Sequence, residues 1–126
     1  TEAFWRAMLP NVLGKTTNEQ NPYAVEFTKS IMSDSRVNGV ANLQIAMSDR
    51  PDSHDAISNF IGPILSIRGD EDSVVSAEDH QKIVKEAKDA LHVTLENCGH
   101  LAPIEKPEET ATAIVDFLNT ATKISC

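Results

Sequence analysis

Gly62-Pro63-Ile64-Leu65-Ser66-Ile67-Arg68-Gly69-Asp70-Glu71-Asp72 is the stretch on which the fold turns. Its apolar run, Ile64 to Ile67, is short, partly β-branched and bracketed by Gly and Pro, which is the pattern of a buried strand ending at Gly69. On the C-terminal side, Ser76-Ala77-Glu78-Asp79 has the form of a capping box opening a helix whose inward face carries Ile83, Val84 and Ala87. A second strand is expected at Leu91 to Leu95, then a loop from Glu96 to Lys106. Pro107 suits a first helical turn, and Ala111, Ile114, Val115, Leu118 and Ala121 give the stripe of a C-terminal helix. Strand, helix, strand, helix with short connections predicts a parallel α/β layer over residues 61–126.

On the N-terminal side, residues 1–60 read as a separate helical segment divided by breakers. Phe4, Ala7 and Met8 sit at helical spacing, and the segment is expected to stop at Pro10. Asn21-Pro22 is a start signal, a cap followed by proline in the first turn, after which Ala24, Phe27, Thr28 and Ile31 share one face. Asp34 or Ser35 is expected to cap a third helix with the stripe Val37, Val40, Ala41, Gln44 and Met47. Arg50-Pro51-Asp52-Ser53 breaks it, and Ala56, Ile57 and Phe60 suggest one more short turn.

Composition bounds the function classes. Hydrophobic residues at 40% and charged residues at 24% are ordinary globular usage, so one folded, soluble domain is expected. A formal charge of -8 argues against nucleic acid as a partner. No signal peptide or membrane span is visible, although the chain begins with Thr1 and not Met. Two cysteines, Cys98 and Cys126, make neither a disulfide scaffold nor a zinc site, which points to a reducing, cytoplasmic setting.

Chemistry concentrates at the carboxyl ends of the two expected strands. Parallel neighbours place these loops side by side, so an acid after the first strand and Cys98-Gly99-His100 after the second would meet across the sheet edge. An imidazole there needs a carboxylate to hold its tautomer and stabilise the imidazolium. Asp72 supplies it, with Asp70 and Glu71 expected to point to solvent. Gly99 lets the loop turn without a side chain in the way. Asp and Gly at a strand end also make ordinary turns, so the order of acid before histidine, together with the Pro107-Glu108 helix start that follows, is what carries the reading. Cys98, adjacent to His100 on a tight loop, is expected to be structural and not a nucleophile. His54, His80 and His92 are surface or strand residues, and the histidines and acids lack metal-ligand spacing. The methionines Met8, Met32 and Met47 read as core fillers, and Trp5 as an exposed or packed aromatic.

From about residue 40 to residue 122 the text resembles the C-terminal part of the α/β-hydrolase superfamily, in its cap-bearing esterase and lactonase relatives. The matching pieces are Arg50-Pro51-Asp52-Ser53, Gly62 to Ile67, Gly69-Asp70-Glu71-Asp72-Ser73-Val74-Val75, Cys98 to Glu108, and Val115-Asp116-Phe117-Leu118. The resemblance implies a partial hydrolase fold, its last two parallel strands with flanking helices preceded by a cap. It makes Asp72 and His100 the acid and base of a catalytic triad and needs no cofactor. It also implies a small apolar ester-like substrate, with Val74, Val75 and Leu101 lining its pocket. No Gly-x-Ser-x-Gly occurs, so the serine nucleophile is not in this chain, which by itself is expected to be inactive. The alternative is a non-catalytic binding or assembly module built on hydrolase remains. In either case the bare edge of a two-stranded sheet predicts self-association.

Overall fold

The computed structural model describes residues 2–123; Thr1 and residues 124–126, Cys126 among them, lie outside the described residues, as do the side chains of Phe4, Val37, Thr122 and Lys123. Five helices come first: α1 (Glu2–Val12), α2 (Lys15–Gln20), α3 (Pro22–Ser33), α4 (Val37–Ser48) and α5 (His54–Asn59). Then follow β1 (Ile64–Gly69), α6 (Ala77–Glu86), β2 (Ala90–Leu95), α7 (Ala102–Glu105) and α8 (Pro107–Lys123). The strands pair in parallel, from Ile64 opposite Ala90 to Gly69 opposite Leu95. The chain is therefore an α/β layer preceded by helices, as its sequence predicts.

Alternation along the strands gives the sheet two different faces. Leu65 and Ile67 share one with Leu91, Val93 and Leu95, while Ser66 and Arg68 share the other with His92 and Thr94. Both α6 and α8 pack against both strands. The α6 side is polar: the Ser66 hydroxyl lies 3.0 Å from Nδ1 of His80 and 3.4 Å from Nδ1 of His92. On the apolar side Ile67, Val93 and Leu95 pack with Cys98 and Ala102. A second core of Leu9, Val12 and Leu13 gathers Met8, Val25, Met32 and Leu101. Burying Leu13 alone contributes roughly 1.5–3 kcal/mol. Because Leu101 belongs to this cluster, the N-terminal helices and the loop after β2 share one core.

The caps follow the sequence. Asn21 Oδ1 accepts from Ala24 N–H at 3.1 Å with Pro22 at the first position, and Ser76 Oγ accepts from Asp79 N–H at 3.1 Å. Four expectations need correction. Pro10 lies inside α1 and does not end it: the Leu13 N–H still reaches the Leu9 carbonyl at 3.3 Å, and α1 has only two residues left to run. Asp34 and Ser35 finish α3 instead of capping α4, their N–H groups going to the carbonyls of Ser30 and Met32. The loop after β2 contains the short helix α7. Finally, the predicted stripes of α3, α4 and α8 are only partly buried. Ala24 and Thr28 are buried but Phe27 and Ile31 are exposed; of the α4 stripe Val40 is half-buried and Ala41, Gln44 and Met47 are exposed. On α8, Thr110 is buried and Phe117 half-buried, whereas Ile114, Val115 and Leu118 are exposed. Apolar periodicity marks a face that seeks cover, and a sheet two strands wide covers little of it.

Candidate active site

Three segments converge at the carboxyl end of the sheet: the β1–α6 loop, the loop between β2 and α7, and the α1–α2 junction. Asp70 N–H bonds to the Leu95 carbonyl at 2.9 Å and Glu71 N–H to the Cys98 carbonyl at 2.8 Å, which extends the ladder past the strands and holds the first two loops together. Asp70 itself is exposed, with Oδ1 accepting from Cys98 N–H at 3.2 Å. The third segment is attached through the carbonyls that end α1, since a helix leaves its last C=O groups without internal partners. Val12 C=O takes His100 N–H at 3.2 Å and Asn11 C=O takes the Ser73 hydroxyl at 2.9 Å. The segments approach so closely that only glycine fits. A Cβ on Gly99 would stand 2.1 Å from Gly14 N, and one on Gly69 would stand 2.1 Å from the Cys98 carbonyl oxygen. Gly99 is required by this contact and not by a left-handed turn; the left-handed residue of the loop is Asn97, with φ 54°.

Within this frame His100 Nδ1 lies 3.0 Å from Asp72 Oδ2. The Asp72 side chain is 4% exposed and that of His100 38%. The other carboxylate oxygen, Oδ1, accepts from Val74 N–H at 2.8 Å and Val75 N–H at 3.0 Å. Burial pushes the Asp72 carboxyl upward, but the hydrogen bonds from Val75 N–H, His100 and Val74 N–H outweigh it and hold the group below the usual carboxylate value. An ionised carboxylate only accepts, so the proton between the pair sits on Nδ1, which makes Nε2 the acceptor nitrogen of the neutral ring. The contact fixes the orientation of the imidazole, with Nε2 on the side of the ring away from Asp72.

Val74 and Val75 meet Asp72 through their backbone; the Val74 side chain is exposed and that of Val75 half-buried. Leu101 faces the Leu9, Val12 and Leu13 cluster. A cleft of about 680 Å³ between α1 and α3 is lined by Trp5, Leu9, Lys29 and Met32, none of them a member of the Asp72–His100 pair. Cys98 is fully buried and its thiol is pushed up to about 12, chiefly by burial, so it lacks the thiolate a nucleophile needs. Among the described residues no group of three or more His, Cys, Asp or Glu is placed to hold a metal ion.

Glu71 does not point to solvent: its carboxylate accepts Thr16 N–H at 2.7 Å and the Thr16 hydroxyl at 2.6 Å. It thus satisfies an orphan donor in the first turn of α2, where a negative charge is favoured. Glu105 is 4% exposed and collects three backbone N–H groups, those of Gly14, Gly99 and Leu101, at 2.8 to 3.0 Å. Neither role is visible in the sequence, because both partners come from a segment more than fifty residues away or from backbone atoms. An acid flanked by Ile104 and a helix-opening Lys106-Pro107 was the one available hint.

No family model matches the chain. Among curated proteins it is 34% identical over 65 residues to mouse (Mus musculus) monoacylglycerol lipase ABHD6, covering 52% of this chain and 19% of that protein. It is 37% identical over 57 residues to 2-hydroxy-6-oxo-6-(2'-aminophenyl)hexa-2,4-dienoic acid hydrolase of Metapseudomonas resinovorans, covering 45% and 20%. Among solved structures, a thermophilic esterase from Thermogutta terrifontis superposes with a TM-score of 0.89 at 25% identity, over 94% of this chain and 44% of the esterase. The enol-lactonase of Burkholderia xenovorans LB400 gives 0.84 at 22% identity, over 94% and 45%. The chain spans about a fifth of the length of these curated relatives and less than half of these solved structures. With the two parallel strands and the helices that flank them, these likenesses show that the chain carries the C-terminal part of an α/β-hydrolase fold.

Proposed function

We propose that this chain supplies the base and the orienting acid of a serine-type acyl hydrolase acting on a small apolar ester or lactone. The observation that carries the reading is the 3.0 Å contact between His100 Nδ1 and a buried, doubly N–H-bonded Asp72 carboxylate. His100 Nε2 takes the proton of a serine hydroxyl as its oxygen bonds to the acyl carbon, Asp72 stabilises the imidazolium, and the proton then passes to the leaving alkoxide. The serine and the N–H groups that stabilise the oxyanion belong to parts of the fold other than this one. The ester and lactone classes are those named for the Thermogutta and Burkholderia enzymes. Residues 1–60 act as the latter part of a cap, with Val74, Val75 and Leu101 on the pocket wall. The exposed Leu43, Ile45 and Met47 of α4 and Ile114, Val115 and Leu118 of α8 support a larger assembly that covers them, and self-association through the unpaired edge of β1 belongs to the same reading. A free, buried Cys98 suits a reducing cytoplasm. No helix among the described residues is long and apolar enough to cross a membrane.

The test begins with the coding DNA upstream of the Thr1 codon, read in frame for Gly-x-Ser-x-Gly. If it is found, the longer product is expected to hydrolyse p-nitrophenyl acetate, and His100→Asn to lower kcat by about 10³-fold or more with little change in KM. A start codon immediately before Thr1 favours the binding-module alternative, and a His100→Asn variant of full activity overturns the proposal.

A further inference from the structure

We propose that Glu105 is the positioning residue of His100, its buried carboxylate gathering the backbone N–H groups on both sides of the histidine and tying them to the α1–α2 junction; this rests on the reading of His100 as a base. Oε2 accepts from Gly99 N–H at 2.9 Å and from Gly14 N–H at 2.8 Å, and Oε1 accepts from Leu101 N–H at 3.0 Å. The N–H between them, that of His100, is taken by Val12 C=O at 3.2 Å. Three consecutive amides of the histidine loop are thus held, two by one side chain. A buried carboxylate without partners is expensive, whereas three backbone N–H donors satisfy this one and hold it in place. Its own backbone is fixed too, because Glu105 N–H bonds back to the Leu101 carbonyl at 3.0 Å and α7 packs against α8. The loop has no slack in the other direction, since Gly99 already abuts Gly14. Glu105 meets no reacting atom; it acts by setting where the imidazole stands relative to Asp72.

Glu105→Gln is the informative substitution, because its shape is kept while one acceptor oxygen becomes an N–H donor. Either the Leu101 N–H or the Gly14 and Gly99 pair then faces a donor in place of an acceptor. The readout is the downfield Nδ1–H proton of His100 in the full chain, observed by NMR in the wild type, Glu105→Gln and Asp72→Asn. In the wild type the resonance is expected to be present, and in Asp72→Asn lost. In Glu105→Gln its exchange with solvent is expected to quicken at least about tenfold, with the His80 and His92 ring signals unmoved. A purely structural role would disturb all the histidines together. An unchanged His100 Nδ1–H in folded Glu105→Gln overturns the inference while leaving the hydrolase reading intact. Absence of the signal in the wild type, or its indifference to Asp72→Asn, overturns the hydrolase reading itself. Should Glu105→Gln fail to fold, the wild type is titrated: the amides of Gly14, Gly99 and Leu101 and the His100 Nδ1–H are expected to move with the Glu105 carboxyl carbon, and amides that do not follow it overturn the proposal.

Discussion

Gly99 and Gly39 separate the two reasons a chain carries glycine. Any side chain at position 99 meets backbone that cannot move aside, with Gly14 N at 2.1 Å and the Leu13 carbonyl carbon at 2.6 Å from the added Cβ. Gly99→Ala is therefore expected to destabilise by about 2–3 kcal/mol or more, since α1 must withdraw from the loop. Gly39, in the first turns of α4, has nothing within 4 Å of an added Cβ. Gly39→Ala is expected to stabilise by about 0.5–1 kcal/mol through helix propensity alone. Urea unfolding of both variants reads the contrast, and equal effects would sink the close-approach account. At this scale the sequence shows chemistry better than environment. That the two loops meet is readable from order and strand ends, because a parallel layer brings such loops together whatever the side chains, while the choice of Asp72 among three neighbouring acids rests on the family resemblance. Glu71 and Glu105 resemble surface acids in the sequence, because most of what they bond is backbone N–H, part of it from the distant α1–α2 junction, and backbone donors leave no mark in composition.

Caps and strand limits are local, and they are the elements the sequence places best: the Asn21 and Ser76 caps, Pro107 at the start of α8 and Gly69 at the end of β1 all follow from neighbouring residues. Which face of a helix is buried depends on what lies opposite, and here the stripes of α4 and α8 mislead. The same lack of cover bears on β1, which pairs with β2 on one side only among the described residues. An unpaired strand offers a row of N–H and C=O groups to another chain, and β1 has Pro63 just before it and Arg68 as its one charge to discourage pairing. Light scattering at micromolar concentration is expected to report a mass above that of the monomer, falling on dilution. A clean monomer throughout that range would count against edge pairing.

At the scale of the whole molecule, the layer between α6 and the sheet makes stability depend on pH. His80 from α6 faces Ser66 and Arg68 on β1 and His92 on β2, with Asp72 and His100 in the adjoining loops. Burial, then the charges of His92 and Arg68, hold its proton affinity below the ordinary value of 6.5, against the pull of Asp72. A histidine that binds its proton less readily when folded contributes nothing unfavourable while both states are neutral. As pH falls through 6.5 the unfolded chain gains a proton the folded one resists, so stability is lost from there down to the folded-state value. Two other groups act in separate windows. His54, raised chiefly by its hydrogen bond to Glu86, is exposed; what it adds is present below 6.5 and fades as pH rises through its folded value. Asp72, lowered, adds stability above 3.8 that disappears as pH drops through its folded value. Net charge moves the other way, since acidification relieves the self-repulsion of a chain at -8. The comparison that isolates His80 is therefore wild type against His80→Gln, which keeps a partner for Ser66 without titrating. Thermal unfolding is expected to show the two Tm values drawing apart in the variant's favour between pH 7 and pH 5 and running parallel above pH 7, and parallel curves across the whole interval would remove His80 as the sensor.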